Sequence, residues 1–214
     1  MTFNISMFMA AFEKFDSVIE EKKDFLTDLD AAIGDADHGI NMRRGTRRIL
    51  EKMRDKNYTD CGELFRDVAM IFLSVVGGNV GPLYCTFFMK VGQKLGTAAE
   101  VSTNDFADAM REGLAGVKSL GKSSVGDKTM VDTLDPAIRS FGENVPQGGE
   151  AALNNAAAAA EEGMESTISL MSRRGRSSHL GERSVGHQDP GATSSYYLIS
   201  SLRDAFLDEK TSLD

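Results

Sequence analysis

The chain has 214 residues, 41% of them hydrophobic and 26% charged, a composition typical of one globular domain with a sizeable core. Its formal net charge of −8 argues against a nucleic-acid-binding surface, because phosphate backbones require positive charge. Cys61 and Cys85 lack metal-ligand spacing, and neither a signal sequence nor an apolar run of transmembrane length is present. We therefore predict a cytoplasmic protein that binds neither nucleic acid nor a membrane.

Apolar residues recur at helical spacing along almost the whole chain. Eight helices are predicted. In chain order they extend from Phe8 to Leu29; from after His38-Gly39 to Met53; from Leu64 to Phe72; from Val80 to Leu95; from Phe106 to Val117; from Met130 to Phe141; from Ala151 to Met171; and from Pro190 to Leu207. No alternating strand is predicted, and residues 142–149 are expected to be a loop. Short connections favour antiparallel neighbours, so the sequence predicts an all-α bundle in which residues 1–214 form a single domain.

Four glycine-bearing turns interrupt the helical pattern, at residues 34–39, 77–81, 121–129 and 175–191. They follow the first, third, fifth and seventh predicted helices. Alternate connections of an up-and-down bundle lie at the same end, so all four turns are expected at one rim. Their convergence predicts a functional site there.

The first of these turns carries three carboxylates, Asp30, Asp35 and Asp37, around Gly34. Crowded carboxylates repel one another unless a cation neutralises them, and Mg²⁺ prefers carboxylate oxygens while it leaves positions open for phosphate. We predict that the three aspartates are metal ligands. The alternative is that Asp35 and Asp37 only cap the second helix.

Anion binding is expected at the start of the second helix, where Asn41 and the N–H groups around Gly39 face the positive end of the helix dipole. His38 either contacts a phosphate or base there or only completes the turn. Gly77, Gly78 and Gly81 allow a close backbone approach to a ligand, or else act as spacers between packed helices.

Arg176 lies in a polar turn from which a guanidinium binds phosphate in bidentate fashion, although a solvated arginine is the alternative. Residues 116–123 satisfy the Walker A pattern, but a P-loop follows a strand, and here the preceding residues have helical spacing. We therefore reject it. No nucleophile–histidine pair is visible, so we expect phosphate handling by metal and backbone and assign no catalytic residue.

The four turns together resemble those of the nucleotide-binding L subunit of phosphoenolpyruvate-dependent dihydroxyacetone kinases. The blocks that match, in order, are Ile33 to Gly39, Gly81-Pro82-Leu83, Gly126 to Met130, Gly175-Arg176, and Leu180 to Gly191. The resemblance implies an eight-helix antiparallel up-and-down barrel with ADP or ATP and two Mg²⁺ ions at one rim. It also implies an enzyme subunit in which bound ADP, as a coenzyme, accepts a phosphoryl group from a phosphotransferase-system phosphocarrier subunit. The resulting ATP then phosphorylates dihydroxyacetone on a separate K subunit.

By position, the resemblance assigns Asp30, Asp35 and Asp37 to Mg²⁺. It assigns to the nucleotide His38, Gly39, Ile40, Asn41, Gly78, Asn79, Val80, Gly121, Met130, Arg176, Asp189, Pro190 and Gly191. Relatives often read Gly-Gly-Ala-Ser-Gly-Pro where this chain has Asn79 and Val80. Val80 therefore removes a hydroxyl that faces phosphate, and with it a hydrogen bond worth about 1 kcal/mol.

A second hypothesis is a nucleotide-dependent regulatory module that binds a transcription factor without turnover. Val80 and the lack of a substrate-binding half keep this hypothesis open. A single-chain ATP-dependent kinase would need a fused sugar-binding domain, for which 214 residues leave no room.

Overall fold

The structure, a computed structural model, describes residues 2–213, so residues 1 and 214 of the predicted domain lie outside it. Its α-helices are α1 Ile5–Ile33, α2 His38–Asp55, α3 Cys61–Val75, α4 Val80–Leu95, α5 Thr103–Gly121, α6 Met130–Asn144, α7 Gly149–Ser166 and α8 Pro190–Leu213. Each packs against the next in sequence, and α1 packs against α8, which closes the ring. The predicted all-α, eight-helix up-and-down fold is confirmed.

Two three-residue strands contradict the prediction that the chain has none. The strands β1 (Thr2–Asn4) and β2 (Glu100–Ser102) pair antiparallel, with Phe3 opposite Val101 and both side chains buried. The strands lead directly into α1 and α5, whose first turns are capped by the side chains of Asn4 and Ser102. Three residues are too few to show an alternating pattern, which is why the sequence gave no signal.

The predicted ends of three helices also need correction. Helix α2 begins at His38 itself, and α6 runs through Asn144 into a 3₁₀ turn at Val145–Gln147, so the predicted loop is largely helical. Helix α7 ends at Ser166 rather than at Met171. From Thr167 onward the backbone N–H groups donate to carbonyls three residues earlier rather than four, as in 3₁₀ turns. The connection to α8 contains a 3₁₀ segment, Arg176–Ser184.

The buried apolar side chains form one cluster to which all eight helices contribute. At the end where β1 and β2 lie, the core is aromatic: the rings of Phe3 and Phe106 are 4.9 Å apart, as are those of Phe8 and Phe65. We call Phe3, Phe8, Phe65, Phe106, Phe141 and Phe206 the phenylalanine cluster. None of the helices in residues 2–213 combines the length and the apolarity needed to cross a bilayer.

Candidate functional site

A cleft of about 450 Å³ opens at the rim opposite the phenylalanine cluster. All four glycine-bearing turns contribute to its wall, as the alternation of helix directions predicts. The lining residues include Asp30, Gly34, Asp35, Asp37 and His38 from the first turn, Gly77 to Val80 from the second, Gly121, Ser123 and Lys128 to Met130 from the third, and Arg174 to Ser177 and Asp189 to Gly191 from the fourth.

The even-numbered helices all begin at this rim, at His38, Val80, Met130 and Pro190. A helix N-terminus carries about half a positive charge and unpaired N–H groups, so it attracts anions. Four such ends surround the cleft, and the three carboxylates of the first turn lie together on one wall of it. The cleft therefore offers positive backbone ends on several sides and a cluster of three carboxylates on one, an arrangement suited to a metal-bound phosphate.

The carboxylates of Asp30, Asp35 and Asp37 each offer an oxygen within 4.8 Å of the others. Asp30 is buried and occupies the end of α1, and its Oδ2 accepts the backbone N–H groups of Asp37 (2.9 Å) and His38 (3.1 Å). The carboxylate that caps α2 is therefore Asp30. The side chain of Asp37 makes no capping hydrogen bond, although the residue stands at the N-cap position.

This geometry contradicts the capping alternative for Asp37 and leaves its carboxylate available to a cation. The turn is held tightly: a side chain at Gly34 would collide with the Asp30 carboxylate, and Ala36 adopts a left-handed φ of 60°. Such a backbone is unfavourable for alanine, so its neighbours must hold it in place.

Arg176 crosses the cleft from the fourth turn, and its guanidinium forms an ion pair with the Asp35 carboxylate. Its Nη2 also lies 3.7 Å from the position that a side chain at Gly78 would take. Arg176 is thus half-exposed but engaged with the site, so it is not the isolated surface arginine of the alternative interpretation. The fit of these residues to a metal is supported by the three clustered carboxylates, which are the ligands that a hard cation prefers, while Arg176 is a second cation able to pair with Asp35.

His38 is buried against α8, where its Nε2 is hydrogen-bonded to Ser194 Oγ at 3.0 Å. Tyr84 OH is hydrogen-bonded to the same oxygen (3.0 Å) and to Ser195 Oγ (3.2 Å). Burial lowers the pKa of His38 to about 4, although the negative charges of Asp30 and Asp37 oppose the shift. The imidazole is therefore neutral at physiological pH, and it both lines the cleft and completes the turn.

Asp189 is the N-cap of α8, and its Oδ2 accepts the N–H of Ala192 at 2.7 Å. Burial raises the pKa of Asp189 to about 7, while that hydrogen bond and the Lys128 charge oppose the shift. On α6, Asp132 accepts N–H groups from Gly126 (2.5 Å) and Thr129 (2.8 Å), which fixes the third turn to that helix. Two buried carboxylates therefore shape the third and fourth turns.

The glycines of the second turn divide between the two predicted roles. A side chain at Gly81 would collide with the carbonyl oxygens of Phe72 and Val76, so Gly81 serves helix packing. Gly78 has a φ of 67° and borders the open cleft, where a ligand can approach its backbone.

Three residues expected at the nucleotide do not line the cleft. A side chain at Gly39 would strike the Lys23 carbonyl of α1, Ile40 is half-exposed, and Asn41 is buried behind Gly77. The other residues that the sequence assigned to nucleotide and metal do line it. Residues 116–121 belong to α5, so the Walker A match lies in a helix, as the spacing predicted.

The DAK2 domain profile matches residues 32–204, which is most of the chain and spans all four turns. The chain belongs to the DAK2 domain family. The resemblance drawn from the motifs is thereby confirmed, and all the cleft residues except Asp30 lie within the matched region.

Two relatives match most of this chain, each at 40% identity. The PEP-dependent dihydroxyacetone kinase ADP-binding subunit DhaL of Escherichia coli is 40% identical over 187 residues, 86% of this chain and 89% of that protein. The PTS-dependent counterpart of Lactococcus lactis is 40% identical over 189 residues, 88% of this chain and 91% of that protein.

A solved structure of the family has the same architecture. The dihydroxyacetone kinase of Citrobacter freundii, in complex with AMP-PNP and Mg²⁺, superimposes with a TM-score of 0.74 at 26% identity. The match covers 95% of this chain and 34% of that one.

Several cleft residues were missed by the sequence analysis. Leu83 and Leu120 supply an apolar wall; Leu83 was interpreted only as part of the apolar face of its helix, and the half-exposed Leu120 was not singled out. Lys128 was part of a matching motif yet was assigned no role, because burial of a lone lysine depends on partners distant in sequence. The motif Gly126 to Met130, which repeats the glycine–aspartate pattern of the first turn, was the available signal.

Proposed function

We propose that the protein is the nucleotide-binding subunit of a multi-subunit dihydroxyacetone kinase, a phosphotransferase in which bound ADP/ATP relays a phosphoryl group. The observation that carries the proposal is the cleft, where four helix N-termini face three clustered carboxylates. The names of the relatives support the choice of nucleotide and sugar, since two DhaL subunits at 40% identity are described as ADP-binding. Residues 1–214 act in this proposal as a single nucleotide-binding domain.

Asp30, Asp35 and Asp37 would hold Mg²⁺, and we propose two ions because the resemblance to the L subunit implies that number. When bound, the metal neutralises phosphate charge and steadies the groups of an in-line transfer. The chain's own part is positioning: Asp30 keeps the turn closed by capping α2, and Asp37 presents an uncommitted carboxylate.

Arg176 has two alternative anions within the cleft, the Asp35 carboxylate and an incoming phosphate. With Asp35 holding a metal, the guanidinium would be free to pair with phosphate, where its planar donors suit two oxygens at once. His38, Gly78, Asn79, Val80, Gly121, Met130, Asp189, Pro190 and Gly191 complete the nucleotide's surroundings in this proposal, with Gly39, Ile40 and Asn41 supporting the first turn from behind.

The proposed partners are a dihydroxyacetone-binding K subunit and a phosphotransferase-system phosphocarrier subunit, because relatives are named as subunits of PEP- and PTS-dependent kinases. We place the protein in the cytoplasm, where ADP and phosphoenolpyruvate are available. No feature of the described residues favours the alternative of a regulatory module that acts on a transcription factor.

The experiment combines the protein with a K subunit, the phosphorylated carrier, dihydroxyacetone, ADP and Mg²⁺. We expect dihydroxyacetone phosphate to form, and to stop forming when ADP or this protein is omitted. Native mass spectrometry of the purified protein checks the cofactor separately and should show the mass of ADP with two metal ions. The proposal is wrong if the complete mixture yields no sugar phosphate.

A further inference from the structure

The connection between α7 and α8 is a long segment whose two ends lie side by side. We call residues 167–187 the strap. The Gly186 N–H donates to the Ile168 carbonyl at 2.7 Å, and the Asp189 N–H donates to Thr167 Oγ1 at 3.0 Å. The strap therefore leaves the barrel and returns to it at one place, and Arg176 is carried on its outer part.

Lys128 lies where the two ends of the strap meet. Its Nζ donates to the Thr167 carbonyl at 2.5 Å and also to the His187 carbonyl, so one ammonium binds one residue from each end. The side chain is 0% exposed, which is rare for lysine and requires compensating partners. Methionine, a neutral side chain of similar length, has no donor for either carbonyl oxygen.

The surroundings keep Lys128 in place despite two unfavourable features. Burial lowers the pKa of the ammonium, and the negative charges of Asp189 and Asp132 oppose that shift. The backbone of Lys128 has a left-handed φ of 61°, held by the Asp132 hydrogen bonds to Gly126 and Thr129 on either side. The third turn thus presents the ammonium in one fixed position.

Hydrogen bonds within the strap also hold the residues around Arg176 in place. The Ser172 N–H donates to Ser184 Oγ at 2.8 Å, and the Ser172 and Ser177 hydroxyls are 2.6 Å apart. The Arg173 N–H donates to the Asp127 carbonyl at 3.1 Å, a second attachment to the third turn. The three serines are buried, and their hydrogen bonds join the two sides of the strap to the residue that follows Arg176.

We propose that Lys128 is a positioning residue that fastens the strap and so holds Arg176 over the cleft. Its contribution to nucleotide binding passes through Arg176 rather than through contact with the ligand. The part of the inference that concerns ADP rests on the proposed function, whereas the fastening of the strap does not.

The first measurement follows hydrogen–deuterium exchange of the strap in the nucleotide-free protein. Lys128→Met keeps most of the side-chain length and removes both hydrogen bonds. The matched control is Lys122→Met, which also removes a lysine with a left-handed φ (48°) in the same turn, but an exposed one outside the cleft. We expect amides of residues 168–186 to exchange at least about tenfold faster in Lys128→Met, as the loss of charged hydrogen bonds implies, and at the parent rate in Lys122→Met. Parent-like protection in Lys128→Met would overturn the proposal.

The second measurement is a double-mutant cycle on ADP affinity in the presence of Mg²⁺. We expect Lys128→Met to weaken ADP binding about tenfold, and the double variant with Arg176→Ala to bind within about twofold of Arg176→Ala alone. Losses that multiply would show that Lys128 acts independently of Arg176, and the positioning role would be wrong.

A third variant keeps the test decisive if Lys128→Met does not fold. Ser184→Ala loosens the strap from within at a residue outside the cleft, and it should weaken ADP binding about threefold in the parent and not at all beside Arg176→Ala. An equal loss in both backgrounds contradicts the proposal. If the parent itself binds no ADP, the proposed function fails, and the exchange measurement still decides the role of Lys128.

Discussion

The two ends of the barrel are stabilised by different forces. The phenylalanine cluster is apolar, and its rings lie 4.9–6.4 Å from their neighbours. At the rim many of the buried groups are polar or charged, among them His38, Lys128, Asp132, Asp189, Ser194 and Ser195. Burial of apolar area requires no specific partner, whereas each buried polar group requires a hydrogen bond.

The comparison indicates how stability and binding are divided within one small domain. A polar buried layer gains little net free energy from its hydrogen bonds, since the same groups are well hydrated in the unfolded chain. The aromatic end must therefore contribute most of the stability, while the rim contributes a defined geometry for the ligand. Substitutions at the two ends should separate these properties.

The largest expected effect is on stability, at the aromatic end. Phe8→Ala removes a ring that is 1% exposed and packs against Phe3, Phe65 and Phe106, and we expect it to lower the free energy of unfolding by about 3–5 kcal/mol. Urea denaturation gives this value, and ADP affinity of the folded variant should stay within about twofold of the parent. Phe25→Ala, at a 46% exposed phenylalanine, is the control and should cost much less. A tenfold loss of ADP affinity in folded Phe8→Ala would contradict the separation.

At the rim, Asp37→Asn should have the converse effect. The carboxylate makes no capping bond, so helical circular dichroism and stability should be nearly unchanged. Removal of a residue that hydrogen-bonds to a metal ligand typically lowers metal affinity about 10–100-fold. Removal of a ligand itself should therefore lower it more than about a hundredfold. Calorimetric titration with Mg²⁺ and ADP measures this effect, and Asp28→Asn, an exposed aspartate of α1, is the control. Parent-like Mg²⁺–ADP binding would show that Asp37 is not a ligand.

Asp189→Asn should change how stability depends on pH. Burial raises the folded-state pKa of Asp189 to about 7 from a model-peptide value of 3.8, so between these values the folded state keeps a proton that the unfolded state has released. In the parent, the stabilisation that protonated Asp189 gives to the folded state is therefore present at low pH and is lost as the pH rises from 4 to 7. Asparagine does not titrate.

The free energy of unfolding of Asp189→Asn minus that of the parent should accordingly rise between pH 4 and 7, by about 1 kcal/mol per pH unit. Urea denaturation of the metal-free proteins at several pH values gives the difference, in which the contribution of His38 cancels. The same comparison for Asp28→Asn should be flat. A difference that is constant with pH would show that Asp189 is ionised in the folded state across this range.

Val80→Ser should have the smallest effect, because it adds one hydroxyl at a half-buried position of the cleft wall. A new hydrogen bond to phosphate is worth about 1 kcal/mol, which corresponds to roughly fivefold tighter ADP binding. Fluorescence competition with an ADP analogue resolves a change of that size. Val80→Ala is the control without a hydroxyl, and an equal gain in both variants would attribute the effect to space rather than to hydrogen bonding.

The helices and their arrangement were largely predictable from the sequence, since apolar spacing marked all eight and short connections implied antiparallel neighbours. Convergence of the four turns followed from alternation alone. The clustering of Asp30, Asp35 and Asp37 was equally local, because one turn contains all three.

What escaped prediction depends on contacts between residues distant in sequence. Lys128 is buried because carbonyls 39 and 59 residues away accept its hydrogen bonds, and no local pattern contains that information. Asp30 was predicted to be a metal ligand but not to be the cap of α2, since a cap was sought within the turn itself. The pairing of β1 with β2 joins residues about 100 positions apart, and three-residue strands carry no periodic signal.

The alternation of helix directions has a consequence for an anion that approaches from solution. The N-termini of α2, α4, α6 and α8 gather at the cleft, but the C-termini of α1, α3, α5 and α7 lie at the same rim, so the helix dipoles largely cancel at a distance. The chain also has a net charge of −8, so the helices provide no long-range attraction that would guide a phosphorylated molecule to the cleft. The preference for anions therefore acts at close range, through the unpaired N–H groups of the four helix starts.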